Sequence, residues 1–434
     1  MGTRIASPET KKLRGIYFTR YFADGMVYSF LACYFLLAFP GTDNALKLGL
    51  LLASMPLMEV LGNVVIGFLA GNSRRNLLLL RILMPIEVAF LVSIGFVRFS
   101  FALTLIFSMI ANFIYLTIYA LLDGISGDSL AREGGKYVSI REFGAVGYLF
   151  GAVTAGFIAE SFGENSVVGY GNAFLCALPF YAIAYLLINL LHPYEWSLSK
   201  EAPQDKKAVR KQEYHDIFHE KDFVRYVIFI AIVMGLLFFT DNTYTDYWNL
   251  DENGVNALNN RPSFLGLSTG LMEVGEVSIG LILYFVMRNK DMKKVTLFSA
   301  LCLFFRCLGL GILTYLDIKK LWGFTTPTMA LLMGVNMLRG IAWGAFAASV
   351  IPVVENLLGI ELKSKGIFIV CIGYGLTNGL GQIAFEYIVN AFKSASGSTG
   401  HYPIFFLAAG LILLSLILLP KIRLKPEEKE TASA

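Results

Sequence analysis

The sequence predicts an all-α membrane protein, with twelve transmembrane helices in two six-helix bundles. Composition is the first ground. The 434-residue chain is 56% hydrophobic and 16% charged, where soluble domains carry about 25% charged residues. A soluble core of this size does not hold that much apolar surface, 35 phenylalanines included, so lipid is the solvent for much of it. Length is the second ground: twelve segments reach the ~20 apolar residues that cross a bilayer as a helix. The third is spacing, because one long polar stretch divides the twelve six and six.

In chain order the segments are 16–39, 48–70, 77–97, 101–122, 139–161, 171–191, 223–248, 263–287, 295–316, 327–351, 366–391 and 403–420. Inside lipid each backbone polar group must find its partner within the protein, which makes these segments helices and not open strands. The polar stretch at 192–222, HPYEWSLSKEAPQDKKAVRKQEYHDIFHEKD, is expected as a linker. It separates bundles at 1–191 and 223–420 and leaves a tail at 421–434. Gly-rich runs mark helix 5 (GAVGYLFGAVTAGF) and helix 11 (GYGLTNGLGQ); such spacings let membrane helices pack closely.

Orientation follows from Lys and Arg. They gather in the N-terminal tail (Arg4, Lys11, Lys12, Arg14) and after helix 2 (Arg74, Arg75), helix 4 (Arg132, Lys136), helix 8 (Arg288, Lys290, Lys293, Lys294) and helix 10 (Lys363, Lys365). The linker (Lys200, Lys206, Lys207, Arg210, Lys211, Lys221) and the tail (Lys421, Arg423, Lys425, Lys429) add more, while the alternate loops hold few, such as Lys47, Arg98, Arg261, Lys319 and Lys320. Both termini are therefore expected in the cytoplasm, with the chain a multi-pass monomer in the lipid bilayer of the cell (inner) membrane. The net charge of +4 is spread over short loops, which gives nucleic acid no patch to bind. Five scattered cysteines without a CxxC spacing read as small packed apolar residues. The polar, basic first fifteen residues precede an apolar run too long for a signal-peptide core.

Ionisable side chains inside a bilayer cost about 2.5–3.5 kcal/mol each on insertion scales and default to function. Helix 1 carries Asp24, helix 2 Glu59 and helix 3 Glu87. Asp123, Asp128, Arg141 and Glu142 lie in the helix 4–5 region, Asp241 and Asp246 on helix 7, and Glu273 and Glu276 on helix 8. Arg306, Arg339, Glu355 and Glu386 follow on helices 9 to 11. Asp128, Glu142, Glu355 and Glu386 stand near helix ends, where a carboxylate reaches water. Asp24, Glu59, Glu273, Glu276, Arg306 and Arg339 lie deeper and point to substrate, ion or internal salt bridge. Glu273 and Glu276 share a helix face, a pairing that suits proton or cation handling unless Arg306 or Arg339 neutralises it.

All four histidines (His192, His215, His219, His401) fall in loops or at helix ends, so proton coupling is expected to run through carboxylates. Nothing resembles a metal-ligand cluster, a nucleophilic triad or a phosphate loop, which argues against an enzyme. The expected ligand besides the solute is a coupling proton or sodium ion, with no other cofactor. Amides and rings accompany the charges, among them Tyr28, Tyr115, Tyr148, Asn336, Trp343, Tyr374 and Asn378. Amides and carboxylates bond hydroxyl arrays and a ring stacks on an apolar sugar face, so the set suits a sugar or nucleoside.

The segment LLDGISGDSLAREGGKYVSIREFGAVGY resembles the oligosaccharide–proton symporters, the lactose permease-like branch of the major facilitator superfamily. That resemblance implies an acid at the end of helix 4 (Asp123), an arginine on helix 5 (Arg141), Phe143-Gly144, and a ring after glycine that stacks on sugar (Gly147-Tyr148). The family has Glu and Trp where this chain has Asp123 and Tyr148. FFTDNTYTD is similar to the family's two aspartates on helix 7 (Asp241, Asp246), and Glu273 stands before Arg306 as the family's helix 8 acid before its helix 9 arginine. The family's helix 10 His and Glu, part of its proton relay, fall near Asn336 and Arg339. Its helix 11 lysine falls near Leu376, and GFLAGNSRRN lacks the Asp of the superfamily's helix 2–3 motif. Glu59 and Asn63 are also similar to the paired acids of the sodium–melibiose class, with the second acid lost.

The expected function is cation-coupled uptake of a sugar, oligosaccharide or nucleoside-like solute by alternating access. Asp123, Arg141, Tyr148, Asp24, Tyr28, Asn336 and Asn378 are expected to bind the solute. Glu273, Glu276, Arg306, Arg339, Asp241 and Glu59 are expected to form the coupling network. Efflux of drugs or metabolites on the same fold, and a transporter-like receptor without coupled transport, are the alternatives.

Overall fold

A computed structural model describes residues 8–39, 45–67, 69, 73–133, 138–162, 167–192, 215–249, 262–286, 291–323, 325–359, 362–396 and 400–424. Most of the expected linker and tail lies outside these residues, as do the basic positions Arg4, Lys136, Lys200, Lys206, Lys207, Arg210, Lys211, Arg261, Arg288, Lys290, Lys425 and Lys429. The side chains of Asp128, Arg132 and Glu386 are likewise outside the description.

Twelve helices are long and apolar enough to cross a membrane. They are α1 (Pro8–Ala38), α2 (Ala45–Gly67), α3 (Ser73–Ser93), α4 (Phe101–Glu133), α5 (Val138–Ser161), α6 (Val167–Asn189), α7 (Lys221–Asn249), α8 (Pro262–Val286), α9 (Met292–Tyr315), α10 (Thr326–Leu358), α11 (Lys363–Ser396) and α12 (Tyr402–Lys421). Each matches one expected segment, but the ends differ. α4 and α10 run for 33 residues each, roughly 50 Å at 1.5 Å per residue, against a hydrocarbon core of about 30 Å. Their polar ends project beyond the apolar stretch, where hydropathy no longer marks a helix. α6 is interrupted at Ala177, just before Pro179, whose missing N–H removes one rung of the helical ladder.

Packing repeats under a shift of six helices. α1 packs on α5 as α7 does on α11, α2 on α4 as α8 on α10, and α3 on α4 as α9 on α10. Two further pairs, α5 with α8 and α2 with α11, join the halves. Glycine makes the tightest of these approaches. A Cβ on Gly151 of α5 would lie 1.9 Å from the Phe22 carbonyl oxygen of α1, and one on Gly340 of α10 would lie 1.7 Å from that of Met272 on α8. Without a hydrophobic force between helices in lipid, such backbone contact carries association.

The closest contacts between the halves lie away from the face where α1 begins. There α5 meets α8 through Gly156 against Pro262 and Ser263, and Gly266 against Ala152. α2 meets α11 through Leu57 against Gly379 and Gly49 against Gln382 and Ile383. α4 makes no substantial contact with α10 or α11 among the described residues. The halves are thus zipped on one face and diverge toward the other.

That zipped face also holds a buried lysine. A one-turn helix at Ile318–Trp322 follows Asp317, which adopts a left-handed φ of 47°. Lys319 is fully buried, and its ammonium donates to the carbonyls of Tyr247 and Trp248 (3.0 Å for the second). These belong to the last turn of α7, whose carbonyls have no partner within the helix and favour a cation. Lys319→Met is expected to lower the thermal midpoint in detergent, since each orphaned buried carbonyl costs about 1–3 kcal/mol. An unshifted melting curve would refute this capping role.

Candidate functional site

The C-terminal half places its charges in one network. Arg306 of α9 is fully buried and donates to Asp241 Oδ1 of α7 at 2.7 Å, to Thr240 Oγ1 at 2.7 Å, and twice to Asn336 Oδ1 of α10 at 2.8 and 3.0 Å. Arg339 Nε reaches the other oxygen of Asp241 at 2.9 Å, and its guanidinium lies 5.5 Å from the Phe238 ring centroid. Asn336 passes the chain on by donating to Ser268 of α8 at 3.3 Å, and Ser268 bonds Tyr244 at 2.8 Å. Polar side chains on four helices therefore form one network, in which both arginines meet Asp241. Its side chain keeps 27% of its surface exposed, so the network is buried behind it and open at it.

Charges from the other half meet this network across the interface. Arg141 of α5, 36% exposed, lies 4.0 Å from Glu276 of α8, and this ion pair joins the halves. Glu273, one helical turn away, interacts electrostatically with Arg141, Arg339 and Asp241. The Tyr148 hydroxyl of α5 lies in the field of Glu273 and Arg339. Tyr374 of α11 interacts with Glu59 of α2 and with Arg141. Rings line the same region: Trp343 of α10 sits 5.2 Å from Phe238 and 6.4 Å from Tyr374, and Tyr28 lies 4.0 Å from Tyr115. Such an arrangement can bond a hydroxylated solute and stack on its apolar face.

The N-terminal half holds a second, sealed network. Arg20 of α1 bonds both oxygens of Glu87 of α3, at 2.8 and 2.6 Å. Its Nε lies 3.1 Å from Asp24, one turn along α1. Asp24 also accepts hydrogen bonds from Tyr181 at 2.7 Å and from Tyr119. All three charged groups are fully buried.

The structure brings together Arg141, Tyr148, Glu273, Glu276, Asp241, Arg306, Arg339 and Asn336. Asp123, at the far end of α4, accepts a hydrogen bond from Tyr17. Glu59 is half-buried at the interface, and among the described residues it has neither a hydrogen bond nor an ion pair. Asn378 accepts from Gln382 at 3.0 Å beside the α2–α11 contact. Tyr28 is half-buried beside the sealed cluster. Two of the residues expected to bind solute are enclosed: Asp24 is closed off by Arg20 and two tyrosines, and Asn336, 4% exposed, gives its oxygen to Arg306 within the interface network.

Arg20 is a buried intramembrane charge that sequence reading passes over. The signal was present, since Arg20 and Asp24 stand four apart on one helix face. A second unanticipated pair joins α7 to the start of α12, where fully buried His401 bonds Asp246 at 2.7 Å.

Comparisons with known proteins agree on fold and family. Residues 10–396 match the model of the MFS_1 like family. No curated protein matches the sequence. Among solved structures, the nucleoside transporter NupG superposes with a TM-score of 0.71 at 16% identity, over 96% of this chain and 100% of that one. A D-xylose–proton symporter gives 0.67 at 16% identity, over 94% and 95% of the two chains. A POT family transporter solved with 5-aminolevulinic acid gives 0.66 at 13%, over 97% and 98%. At such identities the likeness is one of fold.

Proposed function

The chain belongs to the MFS_1 like family, and on that premise we propose that it is a secondary transporter taking up a sugar, oligosaccharide or nucleoside-like solute with a coupling cation. Two bundles, 1–191 and 223–420, rock about a site at their interface, joined by a cytoplasmic linker at 192–222. Both termini, with the tail at 421–434, face the cytoplasm from the cell membrane. The glycine contacts then shut the extracellular face, and the interface opens inward.

One observation carries this reading: ionic and aromatic side chains of both halves converge where the halves meet, and an ion pair joining them, Arg141–Glu276, is at 4.0 Å and partly exposed. A solute wedged there contacts both bundles at once, as alternating access requires. Arg141 and Tyr148 hold the solute on one side, and Glu273, Glu276 and Asp241 face it from the other. The nucleoside and D-xylose transporters among the structural neighbours support the solute class, and the xylose–proton symporter supports a proton as the coupling ion.

Arg141→Ala is expected to abolish uptake in proteoliposomes while the variant stays monodisperse in detergent, because Arg141 is 36% exposed and its ion pair with Glu276 is long, at 4.0 Å. Uridine and D-xylose are the first probes, preceded by thermal-shift screening against sugars, nucleosides and hydrophobic cations, with and without sodium. Undiminished flux through Arg141→Ala would refute the site, and stabilisation by hydrophobic cations alone would favour efflux.

A further inference from the structure

Charge balance separates the two networks. At the interface, Asp241, Glu273 and Glu276 stand against Arg141, Arg306 and Arg339, acid for base. Glu59 adds a carboxylate there, but one that is half-buried and not fully sealed. In the N-terminal cluster one guanidinium faces two carboxylates, and all three are fully buried. The other groups facing the pair are phenols: Tyr28 from α1, Tyr115 and Tyr119 from α4, Tyr148 from α5 and Tyr181 from α6. None of these supplies a second positive charge. An unmatched charge sealed in low dielectric is expensive, and a buried acid beside a matched ion pair relieves it by taking a proton.

A second observation points to the route in. The Tyr28 hydroxyl is buried without a hydrogen-bond partner, and it interacts electrostatically with both Glu87 and Asp24. Its ring packs against Tyr115 at a tilt of 31°, and both rings are half-buried. Tyr28 and Tyr115 thus form the wall between the sealed cluster and the interface, with an unused donor and acceptor in that wall. A buried polar atom left open calls for an explanation, and beside two carboxylates an exchanged proton or water supplies one.

We propose that Asp24 and Glu87 share one transported proton beside Arg20, which makes this cluster of the N-terminal half the coupling site. The inference rests on the reading of the chain as a cation-coupled transporter. Binding converts one carboxylate to a neutral acid and leaves Arg20 paired with the other. Release toward the cytoplasm restores the second carboxylate, strains the cluster electrostatically and favours its reprotonation. Arg20 is a positioning residue here: it holds both acids on one axis so that a single proton decides the balance. The coupling group then lies on α1 and α3, apart from the interface acids Glu273 and Glu276.

Infrared spectroscopy of the reconstituted protein tests this without a known substrate. The wild type is expected to show the carbonyl band of a protonated, buried carboxylic acid, and D24N and E87Q are each expected to lose it. E59Q and E273Q are expected to keep that band. Should D24N fail to fold, E87Q carries the test, because it leaves Arg20 with one carboxylate in a neutral cluster. A band retained in E87Q, or lost only in E59Q, overturns the proposal. So does a thermal stabilisation by sodium chloride over choline chloride that E87Q abolishes, because a metal ion would then fill the role. Flux separates this claim from the transport reading. With uridine or D-xylose in proteoliposomes, E87Q is expected to lose accumulation driven by a proton gradient and to retain exchange at equal concentrations. E87Q accumulation equal to wild type overturns the coupling role. If neither probe moves even in the wild type, the proposed solute class fails and the infrared result still decides the proton.

Discussion

Asp241→Ala is expected to unfold or aggregate much of the protein in detergent and to abolish flux in what survives. Asp241 takes Arg306 on one oxygen and Arg339 on the other, at 2.7 and 2.9 Å. Without it, two guanidinium groups lie close together with no carboxylate between them. Arg306 is fully buried and cannot turn to water, although Thr240 and Asn336 still accept from it. Removing one partner of a buried pair costs about 3–5 kcal/mol. The partial exposure of Asp241 puts the expected loss near the lower figure, about 3 kcal/mol. Asp241→Asn keeps an acceptor and loses the charge, so it should fall between wild type and alanine. Adding Arg339→Met to Asp241→Ala should restore part of the stability, because the less buried of the two guanidinium groups is then gone. Thermal melts of the three variants and the double mutant decide it. A double mutant no more stable than Asp241→Ala would show that repulsion between the arginines is not the cause.

The two halves use related helices for this stitching, with the polarity inverted. Under the shift of six, α1 and α3 correspond to α7 and α9. In the first half the arginine is on α1 and its bidentate acid, Glu87, on α3. In the second half the acid is on α7 and its arginine, Arg306, on α9. Each half is therefore tied internally by a buried ion pair before it meets the other. This leaves the interface free to carry the weaker, partly exposed Arg141–Glu276 contact, which can break as the halves move. Glycine does the same for shape: Gly62 on Phe113 and Gly340 on Met272 seat α2 against α4 and α10 against α8.

How much of this was legible follows from the kind of signal involved. Twelve spans were readable because hydropathy over ~20 residues is a bulk property. The ends of α4 and α10 were not, because a helix that leaves lipid keeps its hydrogen bonds while its side chains turn polar. Asp241, Arg306 and Arg339 were legible as costly charges, but their common partner was not, since they lie on three helices and only tertiary packing joins them. The presence of a charge in an apolar segment does not by itself show how far it is sealed. Asp24 and Arg141 look alike as membrane charges in the sequence, yet one is sealed and the other a third exposed. Burial depends on which face of a helix meets a neighbour, and the nearly all-round hydrophobicity of these helices hides that face.

The second large effect concerns conformation. Gly266→Val is expected to trap the protein with its extracellular face open. A Cβ at position 266 would lie 2.6 Å from the Ala152 carbonyl oxygen of α5, an approach that only a shift of backbone can relieve. The nearest relief is to move α8 away from α5, which on the proposed orientation parts the bundles outside. The clash is absent in a state where the two helices have already separated, so the substitution penalises one state and spares the other. Moving a two-state equilibrium from 1:99 to 99:1 takes about 5.5 kcal/mol, a penalty well within reach of a steric contact between backbones. Gly280 lies on the same helix with nothing within 4 Å of its would-be Cβ, and Gly280→Val is therefore the silent control. A cysteine at Ser263, which abuts Gly156 in the closed seam, reports the change through its labelling by an impermeant maleimide in a background freed of the native cysteines. Labelling is expected to rise in Gly266→Val and to stay at the wild-type level in Gly280→Val. Equal labelling in all three would mean that the seam yields locally, and that the extracellular closure does not depend on the backbone contact at Gly266.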